Sequence, residues 1–217
     1  SGMLNHLLAK VEDLDLTQDD RVAQIATQCF DISVWQLLVA WMRGASTVVY
    51  GQEAVVDVPV FLRSLAADRI SVLEVVPSYL DAVLTETSLR PVPLPDLRVN
   101  LVTGEPLPPA LTQRWFAQYP GIVLVNAYGP TEAADDVTHH RIEGPVEAVR
   151  VPVGRSVINT GIHVVGDGDE LRPIGSYGEI VVTGAGVGLG YVNDPDRTAA
   201  VFRPNTLDGR SETLYRT

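Results

Sequence analysis

The spacing of apolar and polar residues changes period several times along the chain. From Met3 to Val11 apolar residues recur at helical spacing, whereas Arg21 to Thr27 alternates at period two, as a strand does. Ser33 is placed to cap a helix from Val34 to about Arg43, which Gly44 stops. Ser46 to Tyr50 predicts a strand, and Asp57 opens a helix to about Asp68 with Pro59 tolerated in its first turn. Strands are expected over Ile70–Val76, Leu97–Thr103 and Gly121–Val125, separated by helices from Pro77 to about Glu86 and from Pro108 to about Gln118. Such alternation implies βαβ units and a mostly parallel sheet covered on both faces.

The pattern shifts after Ala133. Val137–Ile142, Gly161–Val165 and Gly178–Thr183 read as strands, Gly166-Asp167-Gly168-Asp169 as a hairpin turn, and a helix returns only at Asp196–Phe202. The expected fold class is therefore α/β: residues 3–143 form a mostly parallel sheet with flanking helices. Residues 144–217 form a β-rich portion, with the boundary near Gly144. Leu214-Tyr215-Arg216-Thr217 carries no terminating signal, so the chain is expected to be a piece of a longer protein, and Ser1-Gly2 before Met3 reads as the remnant of a cleaved tag.

Composition narrows the partners. The 217 residues are 46% hydrophobic and 20% charged, with a net charge of −11, which disfavours nucleic-acid backbones and anionic membranes. No apolar run reaches the roughly 20 residues of a membrane helix, and no signal-peptide segment opens the chain. A soluble cytoplasmic protein is expected. Cys29 is the only cysteine, which removes a disulfide framework or thiolate metal cluster; it is expected to be a small core residue.

Candidate chemistry gathers at Asn126-Ala127-Tyr128-Gly129-Pro130-Thr131-Glu132, which follows a buried-strand pattern. The C-terminal ends of strands in open α/β sheets are where ligands bind. An aromatic face suits a base, a hydroxyl suits a phosphate, and a carboxylate suits Mg2+. A strand ending in an ordinary capped turn fits the same residues. Gly184-Ala185-Gly186-Val187-Gly188-Leu189-Gly190 fails as a dinucleotide fingerprint, because Leu189 stands where the third glycine is required and no helix follows. His6, His139, His140 and His163 lack metal-ligand spacing and are expected to be surface or strand residues. No nucleophile elbow is present.

Phe30-Asp31-Ile32-Ser33-Val34-Trp35, Thr103-Gly104-Glu105-Pro106-Leu107, Asn126 through Glu132, Gly178-Glu179-Ile180, Gly184-Ala185-Gly186-Val187, Gly190-Tyr191 and Tyr215-Arg216-Thr217 occur in this order. In order and spacing they resemble an adenylation domain of a nonribosomal peptide synthetase, within the acyl-adenylate-forming superfamily. The resemblance implies a flavodoxin-like second core subdomain followed by part of a β-barrel subdomain. It also implies a parent enzyme that makes an aminoacyl-AMP from an amino acid and ATP with Mg2+, then loads a carrier-protein thiol; an MbtH-like helper is a possible partner. The family's phosphate loop, ribose-binding aspartate and catalytic lysine have no counterpart here, so no catalytic residue is expected.

By the same resemblance Asp31 matches the aspartate for the substrate α-ammonium, with Phe30 beside the carboxylate region. Gly104, Glu105 and Pro106 match the loop over the adenine. Asn126 and Ala127 match contacts to its edge, Tyr128 with Gly129 the stacking turn, Thr131 an α-phosphate contact and Glu132 the Mg2+ ligand. The side-chain pocket matches Asp31, Ile32, Trp35, Glu74, Leu101, Thr103, Ala127, Asp135 and Asp136. Glu74 lies inside an apolar strand, where a lone carboxylate is costly unless a cation pairs it. With Asp135 and Asp136 it points to a cationic substrate, first arginine or a guanidino derivative such as capreomycidine, then lysine or ornithine. In an extended strand Asp135 and Asp136 would face opposite sides, one of them solvent. The rival readings are another acyl-adenylate ligase, or a substrate-binding subdomain without turnover.

Overall fold

The computed structural model describes residues 1–217. The first layer is built from α1 (Gly2–Asp13), β1 (Arg21–Gln24), α2 (Ile32–Leu38), β2 (Ser46–Val49), α3 (Gln52–Val56), α4 (Val58–Ala67), β3 (Val72–Val75), α5 (Pro77–Leu89), β4 (Val99–Val102), α6 (Pro109–Gln118), β5 (Val123–Tyr128), β6 (Thr138–Ile142) and β7 (Arg155–Ser156). Its seven strands lie in the order β2-β1-β3-β4-β5-β6-β7. The pairs from β2 to β5 are parallel and the last two antiparallel. A second sheet holds β8 (Thr160–Val165), β9 (Glu179–Gly184), β10 (Phe202–Pro204) and β11 (Thr213–Arg216) in the antiparallel order β10-β11-β9-β8, with α7 (Pro195–Val201) before β10.

The expected alternation is present, with three differences. The apolar run after Gly51 forms its own short helix, α3, ahead of α4, whose N-terminus Asp57 caps by accepting from the Val60 amide. The helix from Ile32 tightens into a 3-10 turn over Val39–Met42 before Gly44, which turns with φ +69°. The change of sheet falls between Ser156 and Thr160, because β7 still pairs with β6, whereas the sequence placed the boundary near Gly144. Cys29 is exposed rather than in the core, because β1 ends at Gln24 and Cys29 falls in the turn that leads to α2.

Side chains alternate across a strand, so each central strand feeds both faces. Leu73, Val75, Val102 and Leu124 join α4, α5 and α6 in the larger core, around Phe61, Leu84 and Trp115. Val72, Val99, Leu101 and Val125 face the other way, against Leu7 and Leu14 near α1 and against Trp35 and Val39. Glu74 pairs in register with Leu101 and so belongs to this second face, beneath α1 and α2. At the opposite end of the strands, Asp20 accepts from the Arg98 Nε at 2.7 Å and from the Ser71 hydroxyl at 2.7 Å, which ties the starts of β1, β3 and β4 together.

Phe61 is fully buried with its ring edge-on to Tyr50 at 5.3 Å. Phe61→Ala is expected to cost about 3–5 kcal/mol in urea unfolding. Trp41→Ala, at a site 74% exposed, should stay within about 0.5 kcal/mol.

Candidate functional site

Two recesses lie on either side of the turn that follows β5. The larger is a cleft of about 600 Å³. Gly104, Glu105 and Pro106, from the loop after β4, form one side, and Asn126, Ala127, Tyr128 and Gly129 at the end of β5 form the floor. Val149, Arg150, Val151 and Val153 supply the far wall. The sequence reading gives this segment no part in the site; its signal is the apolar–basic alternation of Val149-Arg150-Val151. The Asn126 amide donates to the Pro152 carbonyl at 2.8 Å and holds that wall to the floor. Gly104 takes φ +84°, a conformation that favours glycine. Glu105 accepts from the Ser78 amide at 3.0 Å and the Ser78 hydroxyl at 2.9 Å, so it caps α5.

After Tyr128 the chain turns sharply. A Cβ on Gly129 would lie 1.8 Å from the Asp135 carbonyl oxygen, so the strand end packs directly on the segment that carries the acidic pair. Thr131, at the start of a 3-10 turn, is exposed and lies outside the cleft lining. Glu132 is half-buried and accepts a hydrogen bond from the Tyr191 hydroxyl at 2.5 Å. The Glu132 carbonyl accepts from the Gly188 amide at 2.8 Å, and a Cβ on Gly186 would come within 2.4 Å of the Ala133 carbonyl. The glycine-rich segment is thus a brace against this turn. No group of three or more acidic, cysteine or histidine side chains gathers anywhere to enclose a metal. A lone carboxylate such as Glu132 does suit Mg2+, which keeps waters and substrate phosphates as its other ligands.

The smaller recess, about 190 Å³, lies between α1 and α2. Met3, His6, Leu7, Val34 and Trp35 border it, with Asp31 and Asp135 as its two carboxylates. Asp31 stands at the N-terminus of α2 and accepts from the Ile32 amide at 2.9 Å. Phe30 is 63% exposed and so is not a core residue. Of the other residues matched to the pocket, Glu74, Leu101, Thr103 and Asp136 are buried beneath the recess, Ile32 packs against the Trp35 cluster, and Ala127 belongs to the cleft.

The sequence reading missed the residue at the centre of this acidic group. Lys10, on α1, is wholly buried. Its ammonium donates to Asp136 Oδ2 at 2.5 Å and to Glu74 Oε1 at 3.4 Å, and it sits 4.6 Å from the centre of the Trp35 ring. The Trp35 indole donates to Glu74 Oε2 at 2.5 Å, and the Thr103 hydroxyl donates to Asp136 Oδ1 at 2.9 Å. Lys10 falls between Leu7 and Leu14 on the buried stripe of α1, at i+3 from one and i−4 from the other, which is the signal that it points inward. His6, expected at the surface or in a strand, is likewise buried. Its Nε2 is 3.3 Å from Asp135 Oδ2, without the alignment of a hydrogen bond.

Asp135 and Asp136 do not splay to opposite faces. Ala134 and Asp135 both take left-handed backbone angles, φ 64° and 72°, which curl the segment so that both carboxylates are buried in one cluster. Their protonation is split by surroundings. Burial raises the Asp135 carboxyl, and the neighbouring Asp136 charge raises it further. Burial works the same way on Asp136, but the Lys10 ammonium and then the His139 hydrogen bond overcome it and hold the group below the usual range. Burial pushes Glu74 up to about 8 despite Lys10. Burial alone would lower Lys10; attraction to Asp136 and then to Glu74 reverses this and raises it.

A mostly parallel sheet with a cleft at its carboxyl edge and an antiparallel sheet beyond is the architecture of an adenylate-forming core. The chain belongs to the AMP-binding enzyme family, whose model matches residues 2–192. It is similar to novobiocin biosynthesis protein H of Streptomyces niveus, 38% identical over 212 residues that make up 96% of this chain and 33% of that protein. It is also similar to tyrocidine synthase 1 of Brevibacillus parabrevis, 32% identical over 93% of this chain and 18% of that one. Among solved structures, the nonribosomal peptide synthetase FmoA3 bound to α-methyl-L-serine-AMP superposes with a TM-score of 0.90 at 30% identity, over 99% of this chain and 24% of that one. These relatives identify the chain as an adenylation-domain segment of the nonribosomal peptide synthetase kind, spanning a third or less of each of them.

The Glu74 shift has a testable sign. Its folded value lies above that of an unfolded glutamate, so the native state holds the extra proton and loses stability as pH rises from about 4.5 to about 8. Thermal melts of wild type and Glu74→Gln should diverge across that window, with wild type falling relative to the variant. Parallel curves would show that Glu74 is ionised throughout.

Proposed function

We propose that this chain is the amino-acid-recognising part of an enzyme that condenses an amino acid with ATP to an aminoacyl-AMP, releasing pyrophosphate, and then loads a carrier-protein thiol. One observation carries the reading. The turn at Gly129 lines the cleft on one side and packs on Asp135, which borders the recess, on the other. A nucleotide in the cleft and an amino acid in the recess would be neighbours across this turn, so that the carboxylate oxygen can reach the α-phosphorus, form a bond to it and displace pyrophosphate.

In this reading Tyr128 stacks on the adenine and Asn126, Ala127 and the Gly104-Glu105-Pro106 loop enclose it. Thr131 would approach the α-phosphate, and the Glu132 carboxylate would be the chain's ligand for Mg2+. Mg2+ neutralises phosphate charge when bound. Asp31 takes the α-ammonium, an interaction that an aryl or fatty acid could not use, and Phe30 flanks the carboxylate. A cytoplasmic setting, a carrier domain and an MbtH-like helper belong to the same proposal; no helix of the chain is long and apolar enough to cross a membrane.

The substrate side chain is read as cationic, a guanidino or ammonium group, but through fewer residues than the sequence suggested. Glu74 and Asp136 already share Lys10, whereas Asp135 borders the recess with an oxygen that lacks a hydrogen-bond donor. Lys10 is balanced by Asp136, and Glu74 keeps its proton up to about pH 8, so Asp135 is the carboxylate left for a substrate cation to meet. The buried Lys10 favours a second reading, in which the side chain is uncharged.

Calorimetry with arginine, phenylalanine and salicylate separates these. Arginine-selective heat, weakened about tenfold or more by Asp135→Asn and abolished by Asp31→Ala, is expected. Preference for phenylalanine supports the second reading, and salicylate binding that survives Asp31→Ala would replace the amino acid with an aryl acid. ATP–pyrophosphate exchange by the full-length parent tests turnover.

A further inference from the structure

A buried ion pair seldom adds stability over apolar residues of the same shape, and a buried lysine gathered with three carboxylates is an expensive way to fill a core. The position of Lys10 suggests another use. Trp35 borders the substrate recess, and the Lys10 ammonium lies 4.6 Å from the centre of the same indole ring. Glu74, Asp136 and Trp35 together make a cage with two carboxylate oxygens and an aromatic face for a single alkylammonium, and the chain fills it from within. A substrate entering past Asp31 therefore meets Trp35 and Asp135, not the deeper acids.

We infer that Lys10 is a specificity-determining residue: it occupies, as a built-in surrogate, the deepest cation position of the side-chain pocket, and so limits the substrate's cation to the level of Asp135. Glu74 and Asp136 act on the substrate only through Lys10. This rests on the amino-acid-activation reading given above. Its chemical content is that removing the lysine turns the cage into a site for a free primary ammonium and shifts preference toward a long cationic side chain.

The test uses the 217-residue chain and Lys10→Ala. Ethylammonium should raise the melting temperature of the variant saturably while leaving wild type unmoved, and tetramethylammonium, which has no N–H donor, should shift neither protein. In calorimetry, the preference for arginine over norvaline should rise about tenfold or more in the variant, because a cation then replaces a missing countercharge. Where Lys10→Ala does not fold, Lys10→Ala/Glu74→Gln, which leaves fewer unpaired charges, takes its place in both measurements.

Uptake of ethylammonium with an unchanged arginine-to-norvaline ratio would make Lys10 a structural counterion and overturn the inference. Absence of saturable uptake in a folded variant would overturn it too, while leaving amino-acid activation standing. If neither amino acid binds wild type or variant although ethylammonium enters the cage, amino-acid recognition fails and Lys10 loses its selective role with it.

Discussion

The countercharge that Lys10 supplies is the constraint on which the rest of the site depends. Without it Glu74 and Asp136 would be uncompensated carboxylates in a dry interior, each costing several kcal/mol. With it, three separate pieces of the fold are fixed to one point. These are α1, which carries the lysine; β3, which carries Glu74; and the turn after β5, which carries Asp136. The Trp35 indole adds α2, and the Thr103 hydroxyl adds the end of β4. The network joins elements far apart in sequence, as Lys10 and Asp136 are, so it forms only when the sheet and its two covering helices are already in register.

Polar ties of this kind explain how an edge of sheet holds two recesses apart. The Gly129 turn leaves no room for a side chain between cleft and acidic segment, and the left-handed residues Ala134 and Asp135 reverse the chain within that short span. Left-handed conformations cost something at non-glycine residues. Here the ion pair beneath and the glycine-rich brace at Gly186 and Gly188 hold them in place.

Most of the parallel sheet was legible in the sequence, because each strand there is a short apolar run closed by a turn residue. Glu74, Leu101 and Thr103 came from the family resemblance, and the register of β3 against β4 sets Glu74 beside Leu101. The cleft residues clustered because motif and strand end coincide. What escaped was non-local. Lys10 carries no mark of its own within the helical pattern of Met3–Val11, although its spacing from Leu7 and Leu14 turns it inward. The demand for a cation opposite Glu74 was recognised, but the sequence does not say whether substrate or chain provides it. The left-handed backbone at Asp135 carried no local mark, since neither Ala134 nor Asp135 is glycine, and the short α3 was hidden because its apolar residues run on into α4.

Glu105 shows how the cleft divides labour between side chain and main chain. Its carboxylate is committed to the first turn of α5 through both donors of Ser78, a helix start that benefits from negative charge. The loop over the cleft therefore offers whatever lies beneath it chiefly peptide groups, held still by a side chain turned the other way. Variation at position 105 is answerable first to the helix, and the shape of the cleft roof is inherited from α5 as much as from the loop itself.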